Sequence, residues 1–581
     1  MSEVKERMKI TEEKVWMKYY SEDAQKAQTP RYKAFDYVMI RNMDRLDKPA
    51  LHYYGRDISF LELRKRVDSA AKAFAHLGVK EGDVVSFLSV QTPETIASVY
   101  GLCRIGAVAN CIDPRMDINS IRRMITESGS KILVVLDIAF PKVRAIMSAI
   151  KQDKIIVQSP YISLPTVARI FKNLTTKSDI KYTDKIIKWE KFIEDGKDTY
   201  YKEAPYRGDA TVAITYTGGT TGIPKGVMLT NDSMNAVSVN FEHCDVVMYP
   251  GDRFLGIIPI FSAYGMVCGL HMPLCLGVSV VPIPGFVPAT IGKLVKQFRP
   301  NHIISTPVFI EILMSSKEVQ NMDLSFLRTL ACGGDSMNAG LEEKLDVFRK
   351  KHNMAYPLAQ GYGMSELSAA ASFCVNRVYR RGSVGVPSLN VNVGIFDPDT
   401  GEELSYNQRG EVCVTGPTMM KGYFNAPEET AYVMRKHDDG EIWIHSGDLG
   451  YMDEDGFLYI VGRIKRMITR FDGHKVFPVN LENLIGARED VNNVAVIGVN
   501  DRTHTQGQYP LVVVALEPGV AAAEACKDIF EMCDKQVEER GKPVAVLAVE
   551  KMPLTGMGKN DYRALGDMYG EFDYLSWKPG C

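Results

Sequence analysis

No two cysteines of the sequence stand as a C-x-x-C pair, and their number, 11, is odd. Neither a disulfide framework nor a cysteine-built zinc site is therefore expected, and a reducing compartment fits best. Charge of one sign is lacking too. The 69 Lys and Arg face 71 Asp and Glu, a formal net charge of -2, so no global force draws the chain to nucleic acid or anionic lipid, and a polyanion must be met locally. The start, MSEVKERMKITEEKVWMKYY, has no apolar stretch of the kind a secretory signal needs, and the expected location is cytoplasmic. Internal repeats and low-complexity tracts are missing. Long uncharged runs are rare: residues 254–292 hold no Asp, Glu, Lys or Arg, but prolines at 259, 273, 282, 284 and 288 interrupt them. That run reads as a buried core of turn, short helix (263–276) and strand (278–283), not a membrane span.

What is present is a globular composition, 45% hydrophobic and 24% charged over 581 residues, long enough for several packed units. From residue 49 to about 113 strand and helix alternate: LHYYG and ISF, an amphipathic run 61–77, VVSFLSV, then a helix 93–105. KILVVLD, KIIVQS, VSVVPIP and NHIISTP continue the alternation, which implies layered α/β structure with parallel sheet. After residue 381 short strands with turn residues (NVGIFDPDTGEEL, GEVCVTG, GFLYIVGR) indicate a β-rich subdomain, and VNNVAVIGV opens a last unit of helices and strands. Residues 165–191 interleave Lys and Arg with Leu, Ile, Phe and Trp. They read as a solvated insertion, with weak membrane-surface contact as the alternative, because Asp179, Asp184 and Glu190 dilute the charge.

One segment suggests phosphate chemistry. The β-favouring run TVAITY leads into Thr217, Gly218, Gly219, Thr220, Thr221, Gly222, Ile223, Pro224, Lys225 and Gly226, followed by VMLT. Glycines let backbone N–H groups converge, hydroxyls add donors and the lysine neutralises charge, so the composition suits a polyphosphate. The spacing is not that of a P-loop, because Gly226 and a strand follow Lys225 where a helix would begin. A plain hairpin turn remains the alternative.

TYTGGTTGIPKG closely resembles the loop of the acyl-adenylate-forming superfamily, which includes acyl-CoA synthetases, adenylation domains and luciferases. The chain continues with GYGMSE (361–366), WIHSGD (443–448), GRIK (462–465) and PLTGMGK (553–559), all similar to family motifs and in family order, and the likeness runs from about residue 49 to 565. The resemblance implies a large N-terminal α/β domain with a β-rich subdomain, residues 1–464, and a small mobile α+β domain, 465–581, hinged at Lys465. It implies ATP, Mg²⁺ and coenzyme A as cofactors: a carboxylic acid, with fatty acid favoured, becomes an acyl-AMP with loss of pyrophosphate and passes to the thiol.

On the same ground, Glu366 and Thr220 are expected to hold Mg²⁺ and, with Lys559, to serve catalysis. Lys559 would bridge the acid and the α-phosphate. The loop residues Thr217, Gly218, Gly219, Thr220, Thr221, Gly222 and Lys225 would cradle phosphates. Gly333, Gly334 and Asp335, together with Gly361, Tyr362, Gly363 and Ser365, would line the adenine side, and Asp448 and Arg463 would meet the ribose. By residue type alone, Glu366 also reads as an acid at a helix start and Asp448 as a turn residue. Departures from the family pattern are Ser262 after PIF, where an aromatic gate is usual and Phe261 or Tyr264 would substitute, GGDSM at 333–337, and Asn480 in place of a frequent Glu. Alternative readings are loading of a carrier protein's phosphopantetheine arm, a CoA ligase for an aryl or bile-type acid, and a nucleotide-binding regulator without turnover.

Overall fold

In the computed structural model, which describes residues 9–166, 168, 179–217, 224–244, 248–335, 337, 339–374, 378–554 and 560–579 (only the backbone of Ala339), the apolar runs become strands covered on both faces. Ile132–Leu136 is buried along its whole length, as a strand between two helical layers must be. It lies in a seven-stranded sheet ordered Ile186–Lys188, Lys154–Gln158, Ile132–Leu136, Val84–Leu88, Val108–Ile112, Thr211–Thr217 and Lys225–Thr230. All neighbours are parallel except the last pair, an antiparallel hairpin. A nine-stranded sheet has a parallel centre, Ala359–Tyr362, Thr329–Cys332, His302–Ser305, Arg253–Gly256, Ser279–Pro282 and Pro49–Tyr53, flanked by antiparallel edges.

Helices fill the space around these sheets. Pro93–Ile105 begins with Thr92 capping the Thr95 N–H and proline in the first turn, ends at Gly106 with φ 75°, and is buried at nearly every position, as a helix packed on several sides requires. Phe60–His76 is capped by Ser59 and packs beside it. The expected helix 263–276 is instead a π-helix, Tyr264–His271, continued by an α-turn, Met272–Cys275. Pro273 supplies the physical reason: it has no N–H for the Gly269 carbonyl and its ring crowds that group, so the preceding turns widen.

Residues after 390 build a five-stranded antiparallel sheet from Asn392–Phe396, Gly410–Thr415, Ile442–Met452, Met434–Lys436 and Leu458–Arg463. An N-terminal strap holds it: Thr11 donates through N–H and Oγ1 to Glu403 at 2.9 and 2.8 Å, Lys18 pairs with Asp455 at 2.9 Å, and Trp16 is fully buried under Gly456. The smaller C-terminal domain has the sheet Val491–Asn500, Gln508–Leu516 and Ala545–Val549. Because side chains alternate across a strand, Val512 and Val514 join one apolar layer with the helix Ala522–Gln536, and Leu511 and Val513 join another with Tyr562–Tyr569. The fold is thus the layered α/β arrangement with a β-rich subdomain and a small α+β domain that the sequence implied.

In the 165–191 segment, residues 167 and 169–178 lie outside the described residues. Ile180, Ile187 and Trp189 face the core, Trp189 and Phe192 packing ring on ring at 5.2 Å. Among the described residues no helix is long and apolar enough to cross a membrane.

Candidate active site

The parallel strands direct their C-terminal ends to a common region, where open α/β sheets bind ligands. Thr217 ends its strand there and pairs with Lys225 across the hairpin. Gly218, Gly219, Thr220, Thr221 and Gly222 lie outside the described residues, as does Lys559. From the nine-stranded sheet, Thr329–Cys332 leads into Gly333, Gly334 and Asp335, and Ala359–Tyr362 leads into Gly363, Ser365 and Glu366.

The outer strand of the hairpin bridges to residues 421–424. Phe424 N–H donates to Gly226 O at 2.7 Å and Met228 N–H to Gly422 O at 3.1 Å, while Met420 N–H donates to Glu366 O at 2.8 Å. This ladder carries Tyr423 to Glu366, whose Oε1 accepts its hydroxyl at 2.5 Å. The Lys225 ammonium sits 5.1 Å from the centre of the same tyrosine ring, a cation–π distance. Burial first, then the Glu366 charge, raises the Tyr423 pKa, so this phenol stays a donor.

Glu366 owes its inward position to a tight turn. Leu367 and Ala369 N–H groups both bond Met364 O, and Ser368 and Ala369 take positive φ values of 51° and 93°, a conformation L-residues adopt only when their surroundings impose it. A Cβ on Gly363 would lie 1.8 Å from Ala369 O, so only glycine fits.

A second group gathers at the five-stranded sheet. Asp448 and Arg463 are direct partners across adjacent antiparallel strands, and Arg463 Nε meets Asp448 Oδ1 at 2.9 Å while its Nη1 donates to Ser446 O at 3.0 Å. The Tyr362 hydroxyl donates to Asp448 Oδ2 at 2.7 Å, bringing the nine-stranded sheet to the same carboxylate. Asp448 is buried, and its N–H is held by Ser446 Oγ at 3.0 Å. Burial and then the Asp448 charge push the Tyr362 pKa well up. Burial opposes the Arg463 charge, but Asp448, Tyr362 and Glu366 outweigh it and raise its pKa. Gly333 lies beneath the Tyr264 hydroxyl, 3.3 Å from where its Cβ would be, and close to Gly361 O.

Three residues beyond Arg463 the polar bonds change sides. Arg466 donates to Glu482 at 2.5 Å and its guanidinium lies 3.4 Å above the Tyr562 ring, while Glu482 also accepts from Tyr562 at 3.0 Å and from Val496 N–H at 2.9 Å. Lys465 sits between the two arginines in the 3-10 turn Ile464–Arg466. Burial, Glu482 and, more weakly, Asp335 raise the Tyr562 pKa, which puts Asp335 within electrostatic reach of the C-terminal domain.

Sequence reasoning missed Tyr423, Ser446 and the Arg466–Glu482–Tyr562 group. Tyr423 is 57 residues from Glu366 and nothing local marks it. Of the two residues expected to substitute for the absent gate, Phe261 is buried under the Arg115 guanidinium at 5.2 Å and the Tyr264 hydroxyl lies 3.5 Å from Ser305 O, while Ser262 caps the π-helix entry by accepting from Gly265 N–H at 3.1 Å.

A buried carboxylate–arginine–tyrosine group thus lies near a second carboxylate, whose tyrosine partner carries a lysine over its ring. Comparison with known proteins gives the class. Residues 41–424 match the AMP-binding enzyme family and residues 480–559 the AMP-binding enzyme C-terminal domain, so the chain belongs to the AMP-binding enzyme family, the acyl-adenylate-forming superfamily its motifs resemble. Among its relatives is a long-chain-fatty-acid–CoA ligase of Bacillus subtilis, 29% identical over 562 residues that cover 94% of this chain and 96% of the relative. Another is 4-coumarate-CoA ligase 1 of Narcissus pseudonarcissus, 28% identical with 88% and 89% covered. In fold the chain is similar to the anthranilate CoA ligase AuaEII in complex with anthranoyl-AMP (TM-score 0.81, 21% identity, 94% and 98% covered) and to ATP-bound MatB from Rhodopseudomonas palustris (TM-score 0.77, 24% identity, 93% and 99% covered).

Proposed function

We propose that this enzyme joins ATP and a carboxylic acid to give an acyl-AMP and pyrophosphate, then transfers the acyl group to coenzyme A. The observation that carries this reading is the union of Tyr362, Asp448 and Arg463 from two sheets beside the Glu366–Tyr423–Lys225 group. Asp448 accepts from the ribose hydroxyls, Arg463 holds it in place through an ion pair, and Gly333, Gly334, Asp335, Gly361, Gly363 and Ser365 line the adenine side with Tyr362. Thr217, Gly218, Gly219, Thr220, Thr221, Gly222 and Lys225 receive the phosphates.

An attacking carboxylate approaching an anionic α-phosphate needs cations and aligned donors where charge develops. Lys559 supplies one. The buried oxygen donor of Glu366, fixed by Tyr423, suits a hard cation, and Glu366 with Thr220 would hold Mg²⁺, which neutralises phosphate charge when bound.

The two arginines support a division into two moving parts. Residues 1–464 form the body and 465–581 the moving part, with Lys465 as pivot: Arg463 is tied to the body and Arg466 to the C-terminal domain, so rotation in the turn between them spares both polar groups. One orientation brings Lys559 in for adenylation and a second admits the thiol.

A fatty acid is the favoured acid, supported by the apolar residues 254–292 and by the Bacillus relative over nearly its whole length. A second reading, an aryl acid, is supported by the similarity to 4-coumarate-CoA ligase 1 of Narcissus pseudonarcissus. A panel of fatty and aryl acids tested for acid-dependent pyrophosphate release and ATP-dependent thioester formation separates these. Pyrophosphate release with no thioester from coenzyme A would instead indicate loading of a carrier protein, and no release with any acid would defeat the proposal.

A further inference from the structure

Behind Asp448, on the strands that position it, lies a cluster with different chemistry. Cys413 and His445 are ladder partners, and a register shift lies between Glu411 and Cys413. One donor atom from each of Glu411, Cys413 and His445 lies within 4.8 Å of the other two. Cys413 Sγ is 3.5 Å from His445 Nδ1, and Glu411 Oε2 is 2.8 Å from the same nitrogen. A tetrahedral ion with bonds of about 2.3 Å to sulfur and about 2.0 Å to nitrogen holds those two ligands about 3.5 Å apart, so the sulfur–nitrogen spacing already suits it. On the far side of the ring, His437 Nε2 lies 2.9 Å from His445 Nε2, and the His437 ring stacks on Trp443.

We propose that Cys413 Sγ, His445 Nδ1 and the Glu411 carboxylate form a site for a thiophilic divalent cation of the zinc type, with water as fourth ligand. The donor set of sulfur, nitrogen and oxygen is unlike the all-oxygen set that Mg²⁺ takes at Glu366, so the two sites select different ions. Without the ion a carboxylate can only accept, so His445 donates to Glu411 from Nδ1 and meets His437 through Nε2. Binding displaces the Cys413 thiol proton to solvent and moves the imidazole proton to Nε2, where His437 accepts it and shifts its own proton to its other nitrogen. His437 is thus the positioning residue that fixes the ligand tautomer. Glu411 Oε1 also accepts from Gly447 N–H at 2.9 Å, so drawing Glu411 onto an ion loosens the backbone next to Asp448. That last consequence rests on the ribose role proposed for Asp448.

Titration of the full-length chain with Co²⁺ alone tests the site without any turnover. Expected are one ion per chain, a thiolate-to-cobalt charge-transfer band that Zn²⁺ removes, loss of the band in Cys413→Ala, and affinity about 10–100-fold weaker in His437→Asn, as for other groups behind a ligand. No such band in the wild type, or an unaltered band in Cys413→Ala, overturns the proposal. The link to Asp448 is read separately: Zn²⁺ at saturating Mg²⁺ raises KM for ATP in the wild type and not in Cys413→Ala, and equal responses of the two chains would refute it.

Discussion

The two arginines three residues apart offer the clearest contrast in the molecule. Arg463 closes a polar group made by two sheets of the large domain, and Arg466 closes one made wholly within the small domain. Between the domains the contacts are of another kind: Leu449 and Val461 against Val479, the Arg409 guanidinium 5.7 Å from the Phe477 ring, and an exposed pair, Lys475 with Asp399, at 3.2 Å. Exposed ion pairs contribute about 0–1 kcal/mol, so the Lys475–Asp399 pair adds little to the apolar contact at Val479. The proposed two orientations would need a boundary of that kind.

Substitutions can break this contrast, beginning with the strongest. Lys559→Ala is expected to slow acid-dependent pyrophosphate release by about 10²–10³-fold, the scale of one lost aligned donor, while thioester formation from synthetic acyl-AMP is largely spared; equal losses in both steps would remove its assigned role. On the body side, Asp448→Asn keeps the shape but leaves Arg463 without its charge partner. KM for ATP should rise roughly 10–100-fold, the value of a hydrogen bond to a charged group, with the melting of the small domain unchanged. At the pivot, Lys465→Pro restricts the backbone of the turn, and the thioester half-reaction should fall by roughly tenfold with adenylation retained. Stopped-flow comparison of the two steps would show whether they separate.

The small domain responds to Glu482→Gln, which weakens three bonds at once. A loss of about 1–3 kcal/mol should appear in its own denaturation and hardly in adenylation. The last effect belongs to the body alone. Burial lowers the pKa of His271 to about 3, and its ring is held neutral between Tyr100 and Asn235. The unfolded chain binds this proton near pH 6.5 and the folded chain does not, so stability declines as pH falls below about 6.5 and continues to decline down to about 3. Between pH 7 and pH 6 the decline is about 0.7 kcal/mol from this group, and thermal melts of His271→Gln should lack it.

Much of the architecture was readable because local chemistry and tertiary burial agree. Thr92, Pro93 and Gly106 mark both ends of a helix that the structure places at Pro93–Ile105, and ILVVL could only be a covered strand. The π-helix was not readable, since its cause, Pro273, acts on the turns before it. At the candidate site the motifs marked Glu366, Asp448 and Arg463 individually, but their partners come from distant segments. Tyr423 reaches Glu366 through a backbone ladder between residues 225–230 and 421–424, and Tyr362 reaches Asp448 across two sheets. Neither bond leaves a periodicity or spacing in the sequence, so only the assembled chain reveals them.

The strap at residues 10–20 has a consequence for synthesis. Thr11 finds Glu403 at a separation of 392 residues, and at about 5–20 residues per second a ribosome takes about 20–80 s to deliver the second partner after the first. Through that interval Trp16 lacks the Gly456 side of its burial site and presents apolar surface to passing chains. The five-stranded sheet therefore closes over a segment made long before it, and slowed translation would lengthen that exposure.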